Sequence, residues 1–256
     1  MPCTLLVVEP AEYPAGVARG RLRRTAFSYG WTAVNCIQAI GVQTLRREAG
    51  AMAKLERRWA EVLIRNWKMD LRATGTERVP SDRICVIVAN HQSYLDVIAL
   101  FAAVPVTPVF LAKRELERAP LLGRAMKLGG HVFVDRGKHD RAMESMDRAA
   151  RDLQPGQPLA IFPEGTRAKA PGIRPFKKGA FHLAKSAGAC IVPVGIRGSL
   201  EAWPRSEATP LPNRTVHLSV GAPISQSDVS ALPLDALIAR ARSEVASLAG
   251  LPLLDA

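Results

Sequence analysis

Aromatic residues are scarce in this sequence, and they do not alternate with basic residues along any strand-like segment. Phe, Trp and Tyr together make up 5% of the 256 residues. Proteins that bind single-stranded nucleic acid stack the bases on aromatic side chains set among basic ones. The sequence also lacks the cysteine and histidine spacing of zinc fingers and any clear helix-turn-helix pattern. We therefore expect no nucleic-acid partner.

Cysteine is scarce as well. The four cysteines stand at long, irregular spacings and form no CxxC pair, so we expect no metal site and no cofactor. Cys85 and Cys190 lie in apolar runs and are predicted to be reduced thiols in the core. The first residues do not show the basic region, apolar core and cleavage site of a signal peptide, and none is expected.

Positive charge is abundant. The chain has 35 Lys and Arg residues against 23 Asp and Glu residues, which gives a formal net charge of +12. A chain this basic suits a polyanionic partner, such as an anionic membrane surface or a phosphorylated substrate. A basic surface that only aids solubility is the alternative.

Residues 1–69 differ from the rest and are predicted to form a helical membrane-associating region. The uncharged stretch 25–45 follows a cluster of four arginines and is long enough to cross a bilayer, but it contains many polar residues. Residues 52–68 carry apolar side chains, two of them Trp, at helical spacing. Such faces suit the headgroup boundary of a membrane. We expect a pair of helices that binds a membrane peripherally or monotopically; a single span is less favoured, and simple packing on the catalytic domain is the alternative.

From residue 70 onward, strand patterns alternate with helical patterns. Buried strands are predicted at 84–89, 106–112, 131–134, 159–162, 190–195 and 215–220, with helices between them and a closing helix at 234–248. This alternation predicts an α/β domain over 70–256, with a mixed, largely parallel sheet flanked by helices. Pro193 cannot donate to a strand ladder, so its strand is expected near a sheet edge or a bulge.

The first predicted strand leads into the sequence NHQSYLD, which holds a candidate catalytic pair. In open α/β sheets, functional residues collect where strands end and loops begin. A turn between His91 and Asp96 can fold the carboxylate back onto the imidazole and stabilise the imidazolium form. No Ser, Cys or Thr lies in a nucleophile elbow, so the pair suits direct attack by a substrate hydroxyl. A histidine that caps a helix or fills a pocket is the alternative.

A second candidate site lies in the sequence FPEGTR, after another predicted strand. Gly165 lets the backbone approach an anion, Thr166 offers a hydroxyl, and Arg167 supplies a planar fork that matches phosphate oxygens. Glu164 can orient that arginine or accept a hydrogen bond from a substrate hydroxyl. The sequence GGHVFVDR delivers Arg136 to a loop, where a structural ion pair is the alternative to a binding role.

In this order, NHQSYLD, GGHVFVDR, FPEGTR and IVPV resemble the four sequence blocks of the glycerophospholipid acyltransferase family, in particular the 1-acyl-glycerol-3-phosphate (lysophosphatidic acid) acyltransferases. The resemblance covers about residues 70–225. It implies a glycerolphosphate acyltransferase-like domain preceded by membrane-binding helices. It also implies an acyl-CoA or acyl-carrier-protein donor and a lysophosphatidic acid acceptor, whose free sn-2 hydroxyl is acylated to give phosphatidic acid.

The resemblance implies roles for single residues as well. His91 is the general base and Asp96 is its orienting partner. The residues implied to meet the glycerol phosphate of the acceptor are Lys113, Arg136, Glu164, Gly165, Thr166 and Arg167. The expected location is the cytoplasmic face of the cell membrane. Another lysolipid acceptor, such as a lyso-ornithine lipid or a different lysophospholipid, is one alternative, and a non-catalytic lipid-binding protein is another.

Overall fold

The structure, a computed structural model, describes residues 15–46, 50–135 and 139–255. Its helices are α1 (Ala15–Gly41, continued by a π-helical turn over Val42–Arg46), α2 (Ala51–Asn66), α3 (Leu95–Ala103), α4 (Leu122–Leu128), α5 (His139–Asp152), α6 (Gly179–Ser186), α7 (Ser199–Ala202), α8 (Gln226–Ala231) and α9 (Leu234–Ala249). Its strands are β1 (Asp70–Thr74), β2 (Cys85–Ala89), β3 (Val109–Lys113), β4 (Val132–Val134), β5 (Leu159–Ile161), β6 (Cys190–Arg197) and β7 (Thr215–Val220). Short 3-10 turns precede β2 (Thr76–Arg78) and follow β3 (Arg114–Arg118).

The described strands form one sheet in the order β1-β7-β6-β2-β5-β3-β4. Neighbouring strands run parallel throughout, except that β6 and β7 pair antiparallel. The predicted fold class, a mixed and largely parallel sheet flanked by helices, is therefore confirmed. Strand β1 was absent from the sequence prediction because it is a mostly exposed edge strand with little apolar alternation.

The proline in β6 corrects one expectation. Strand β6 is an interior strand between β7 and β2, so the predicted edge position is wrong. The expected irregularity is present, because the pairing changes from Val194 with Val220 to a bridge between Ile191 and Ile224, one residue out of register. Pro193 lies inside this shift, where the ladder does not require its missing N–H.

Helices cover both faces of the sheet and bury a core on each side. Strand β2 is buried along its whole length, and its side chains alternate between the two cores. Ile87 packs with Leu100 of α3 on one face, whereas Val86 packs with Phe181 of α6 and Val245 of α9 on the other. This arrangement holds the carboxyl end of β2, where the candidate base follows, in a rigid frame.

Cys85 and Cys190 are register partners on β2 and β6. Both are buried and free, as predicted. Cys36 on α1 is a third buried and free cysteine, and burial raises the pKa of its thiol.

The two N-terminal helices pack on each other and on the sheet domain. The Ser28 hydroxyl accepts hydrogen bonds from Asn66 Nδ2 at 3.0 Å and Trp67 Nε1 at 2.9 Å. One turn further along α1, Thr32 Oγ1 accepts from Trp59 Nε1 at 3.0 Å. These bonds give α1 and α2 an antiparallel register and explain why the stretch 25–45 carries polar residues. None of the helices that the structure describes has the length and apolar content of a membrane span.

Candidate active site

The loop after β2 is anchored before it reaches the candidate base. Asn90 is fully buried, and its side-chain amide forms two hydrogen bonds of 2.7 Å with the main chain of Ile196 on the neighbouring strand β6. Sequence reasoning assigned no role to Asn90, because its partner is more than a hundred residues away. This double bond fixes the point at which the chain leaves the sheet.

The structure brings His91 and Asp96 together. Asp96 lies in the first turn of α3, is fully buried, and places Oδ2 at 2.9 Å from His91 Nδ1. The same oxygen accepts hydrogen bonds from the main-chain N–H groups of Gln92 at 2.7 Å and Ser93 at 2.8 Å. A carboxylate that accepts from Nδ1 holds the ring proton there, so the lone pair of His91 Nε2 is left to act as a base.

The imidazole is also held by stacking. Phe162 lies parallel to the His91 ring, with centroids 4.1 Å apart and an angle of 16° between the planes. The His91 side chain is 14% exposed, and it lines a large cavity between the N-terminal helices and the sheet. Among the described residues, none forms a hydrogen bond with Nε2. The ring is therefore fixed in orientation while its second nitrogen is accessible.

Glu164 supports the same histidine through the main chain. The residue is 2% exposed, and its Oε1 accepts the His91 main-chain N–H at 2.7 Å while Oε2 accepts that of Arg174 at 3.3 Å. Burial raises the pKa of the Glu164 carboxyl to about 7, although these two hydrogen bonds lower it. A second link joins the loops, because Ala168 N–H donates to the His91 carbonyl at 2.8 Å. The two candidate motifs thus form one rigid unit.

Gly165 occupies a position that other residues would strain. Its φ is +73°, and a Cβ there would lie 2.9 Å from Lys177 Nζ. The glycine therefore leaves room for a lysine that sequence reasoning did not select. Lys177 approaches because its main-chain N–H donates to Pro163 O at 2.9 Å.

Arg167 lies over an aromatic ring at the edge of the site. Its guanidinium carbon lies over the ring of Tyr94, 3.8 Å from the ring centroid, which is a close cation–π contact. Arg205 Nη1 donates to the Arg167 carbonyl at 2.9 Å and adds a second positive charge nearby. Thr166 is exposed beside them.

The structure describes one of the two other basic residues that were predicted to bind phosphate. Lys113 ends β3 on the exposed side and forms an ion pair with Glu115 at 2.9 Å. Arg136 lies outside the described residues.

A largely apolar cavity of about 810 Å³ extends inward from these side chains, between the two N-terminal helices and the sheet. We define its mouth by His91, Lys113, Thr166 and Arg167. The aromatic residues along its wall include Trp59, Phe101, Phe110 and Phe162. A basic rim with an apolar interior suits an amphipathic molecule that has an anionic head and a hydrocarbon chain.

The fold and the site define an α/β protein with a His–Asp pair at the carboxyl end of a largely parallel sheet, next to a deep apolar cavity. A family model described as Acyltransferase matches residues 70–197, which is half of the chain. This range contains His91, Asp96 and the FPEGTR loop. The chain belongs to the acyltransferase family.

Curated relatives carry more specific names. Human 1-acyl-sn-glycerol-3-phosphate acyltransferase beta is 38% identical over 162 residues, which are 63% of this chain and 58% of that protein. The human alpha enzyme is 34% identical over 172 residues, which are 67% of this chain and 61% of that protein. The chain therefore spans about three fifths of the length of these two relatives.

A solved structure shares the fold. The 1-acyl-sn-glycerophosphate (LPA) acyltransferase PlsC from Thermotoga maritima superposes with a TM-score of 0.77, covering 91% of this chain and 96% of that one. Its sequence is 23% identical to this chain. The likeness includes at least part of the N-terminal helix pair, because the 9% of this chain that is left out is shorter than α1 and α2 together.

Proposed function

We propose that this chain transfers a fatty acyl group from a thioester to the free sn-2 hydroxyl of 1-acyl-glycerol-3-phosphate, which gives phosphatidic acid. The observation that carries the proposal is the accessible Nε2 of His91, braced by Asp96, at the mouth of an apolar cavity whose rim holds Arg167. The cavity suits an acyl chain, the guanidinium suits a phosphate, and the imidazole suits a hydroxyl. The names of the relatives agree with this substrate class.

His91 acts as the general base in the proposed mechanism. Nε2 removes the proton from the acceptor hydroxyl as the oxygen attacks the thioester carbonyl carbon. Asp96 holds the proton on Nδ1 and stabilises the imidazolium that forms. When the tetrahedral intermediate collapses, the C–S bond breaks and the thiolate takes the proton from Nε2. Either acyl-CoA or an acyl-carrier protein supplies the same thioester to this chemistry.

The acceptor phosphate is proposed to bind at the basic rim. Arg167 is held over the Tyr94 ring, and its guanidinium offers paired N–H donors to the phosphate oxygens. Gly165, Thr166, Lys113 and Arg136 complete the proposed phosphate site. Glu164 is better suited to positioning than to contact, since both of its oxygens already accept main-chain N–H groups.

Residues 1–69 are proposed to associate with the membrane, and residues 70–256 to carry the chemistry. The apolar side chains exposed on α1 are Leu22, Phe27, Tyr29, Val34 and Ile37. Four of them lie on the side of the helix turned away from Ser28 and Thr32, which bind α2, whereas Tyr29 lies at the edge of that side and also lines the cavity. This face suits peripheral or monotopic binding at the cytoplasmic face of the cell membrane, and the free thiols of Cys85 and Cys190 are compatible with a reducing compartment.

An acceptor and donor panel tests the proposed activity. Purified protein is given octadecanoyl-CoA or octadecanoyl-carrier protein, with lysophosphatidic acid, lysophosphatidylcholine or lyso-ornithine lipid, and thiol release is followed. We expect release that depends on lysophosphatidic acid. If another lysolipid supports faster thiol release, that lysolipid is the acceptor and lysophosphatidic acid is not. Lipid binding without thiol release for any pair would contradict catalysis and favour a lipid-binding protein.

A further inference from the structure

A pair of hydrogen-bonded polar side chains, His131 and Glu56, lines the largely apolar cavity below its mouth. His131 directly precedes β4 and is 8% exposed, and its Nδ1 accepts a hydrogen bond from Phe110 N–H at 3.0 Å. Phe110 lies three residues before Lys113, which ends β3 at the cavity mouth. At the strand rise of roughly 3.3 Å per residue, the His131 ring lies about 10 Å below the mouth.

The hydrogen bond at Nδ1 fixes the tautomer of His131 and therefore the direction of its hydrogen bond with Glu56. Because Nδ1 accepts, the ring proton is on Nε2, which donates to Glu56 Oε1 at 3.1 Å. Gly129 leaves space for this contact, since a Cβ there would come within 2.7 Å of the same oxygen. Among the described residues, none forms a hydrogen bond with the second oxygen, Oε2. Glu56 lines the cavity and so provides it with a hydrogen-bond acceptor.

A second acceptor lies on the facing helix. Asn35 of α1 also lines the cavity and is 7% exposed. Its Nδ2 donates to the Trp31 carbonyl at 3.2 Å, whereas its Oδ1 has no partner among the described residues. The antiparallel register of the helix pair, with Thr32 beside Trp59, places Asn35 about level with Glu56.

A chain of neighbouring aromatic rings sets an upper limit on the distance between the reacting carbonyl and these acceptors. The ring centroids of His91 and Phe162 are 4.1 Å apart, those of Phe162 and Phe110 are 6.2 Å apart, and those of Phe110 and His131 are 6.1 Å apart. His131 is therefore no more than about 16 Å from the His91 ring. Since the His131 ring lies about 10 Å below the mouth by the strand rise and within this upper limit, an acyl chain that starts at His91 would meet Glu56 and Asn35 with its middle carbons.

We propose that the acyl chain selected by this cavity carries a hydroxyl group in its middle portion, an inference that rests on the proposed acyl transfer. A plain hydrocarbon would cover the second oxygen of Glu56, and it would leave Asn35 Oδ1, which is already out of contact with water, without a donor. Both outcomes are unfavourable for buried polar atoms. A mid-chain hydroxyl donates its hydrogen to one of them. A site that binds a substrate hydroxyl in this way rejects the analogue without it, because its own groups are then left unpaired.

The test compares donors of equal chain length with lysophosphatidic acid as acceptor. We expect kcat/KM for 12-hydroxyoctadecanoyl-CoA to exceed that for octadecanoyl-CoA about tenfold, since one buried hydrogen bond distinguishes them. The 3-hydroxy isomer should behave like the plain chain, because its hydroxyl lies near the thioester. In Glu56→Leu the ratio should fall to about one, and Asn35→Leu should lower it as well. Glu61→Leu is the matched control on α2, since Glu61 does not line the cavity, and it should keep the wild-type ratio.

Equal kcat/KM for the hydroxylated and plain chains in the wild-type protein would overturn the inference. A preference retained in both Glu56→Leu and Asn35→Leu would overturn it as well. Failure of every donor to release thiol would contradict the proposed function instead. In that event the dissociation constants of the two acyl-CoA molecules, measured by calorimetry on the wild-type protein, decide the inference through the same ratio.

Discussion

Two buried carboxylates hold one histidine by different parts of it. Asp96 accepts from the imidazole and therefore selects its tautomer, whereas Glu164 accepts from the main-chain N–H of the same residue and therefore places its backbone. The two carboxylates also lie in different environments. Asp96 receives three hydrogen bonds on one oxygen, while burial dominates at Glu164 and raises its pKa to about 7.

Replacing the candidate base should remove activity without unfolding the protein. His91→Ala takes away the group that accepts the hydroxyl proton, and we expect acyl transfer to fall by about 10³-fold or more. His182→Ala is the matched control, because His182 is exposed on α6. Thiol release and circular dichroism are measured on both variants. Activity of His91→Ala near that of the control would defeat the general-base assignment.

The raised pKa of Glu164 predicts a particular pH dependence of stability. The folded carboxyl keeps its proton up to about 7 while the unfolded one loses it near 4.5, so the folded state binds more protons in this window. Its contribution to stability is therefore present below pH 4.5 and is lost as the pH rises to about 7. Glu164→Gln cannot titrate and should show no such loss.

Urea denaturation of both proteins from pH 4 to pH 8 tests this expectation. The free energy of unfolding of the wild-type protein should decline relative to Glu164→Gln across the window and then run parallel to it. A difference that stays constant with pH would show that Glu164 titrates near its ordinary value in the folded protein.

At the scale of elements, α1 has two distinct faces. Ser28 and Thr32 on one face accept hydrogen bonds from side chains of α2 and the residue that follows it, so the polar residues of this helix serve its packing. The other side of the helix leaves Leu22 71% and Ile37 58% exposed, and Arg19 and Arg23 are exposed near the start of the same helix. An apolar face bordered by arginines is the pattern of a helix at a lipid surface.

Polar substitution on that face should weaken membrane binding. We expect the double variant Leu22→Gln with Ile37→Gln to sediment with anionic liposomes several-fold less than the wild-type protein, because two apolar side chains no longer enter the lipid. Leu253→Gln is the control, since Leu253 is 50% exposed near the C-terminus. An equal loss in the control variant, or no loss in the double variant, would count against α1 as the contact face.

The whole molecule combines a strong positive charge with a cavity that opens at a basic rim. The net charge of +12 acts beyond any single contact, and it attracts anionic lipid as well as phosphorylated substrate. The cavity itself belongs to no single element, because its walls come from α1, α2, α3 and the strand β3. The path into the cavity therefore depends on the assembled fold. The attraction to an anionic lipid surface depends on the charge of the whole chain.

Liposome binding should depend on salt and on lipid charge. Raising the ionic strength from 0.05 M to 0.5 M shortens the screening length, so we expect binding to phosphatidylglycerol vesicles to fall several-fold. Binding to phosphatidylcholine vesicles should be weaker throughout and nearly independent of salt. Equal binding to both vesicle types at low salt would contradict the electrostatic contribution.

Much of the architecture was predictable because it depends on local patterns of apolar residues. Strand β2 and helix α9 were expected within one or two residues of their observed bounds, since long apolar runs and helical periodicity reflect burial directly. The pairing of His91 with Asp96 was also predictable, because a single turn connects them. Glu164 was selected as a binding residue, but its contact with the His91 main chain spans 73 positions of sequence and has no local signal.

The sequence by itself determined the alternation of strands and helices, the placement of the two motifs at strand ends, and the positive charge, because these depend on composition and on neighbours a few residues away. Only the tertiary structure decided that β6 is an interior strand and that Glu56 and His131 meet inside a cavity with Asn35. Such contacts join segments from tens of residues to more than a hundred residues apart. They form only when packing of the whole core brings those segments together, so no local pattern encodes them.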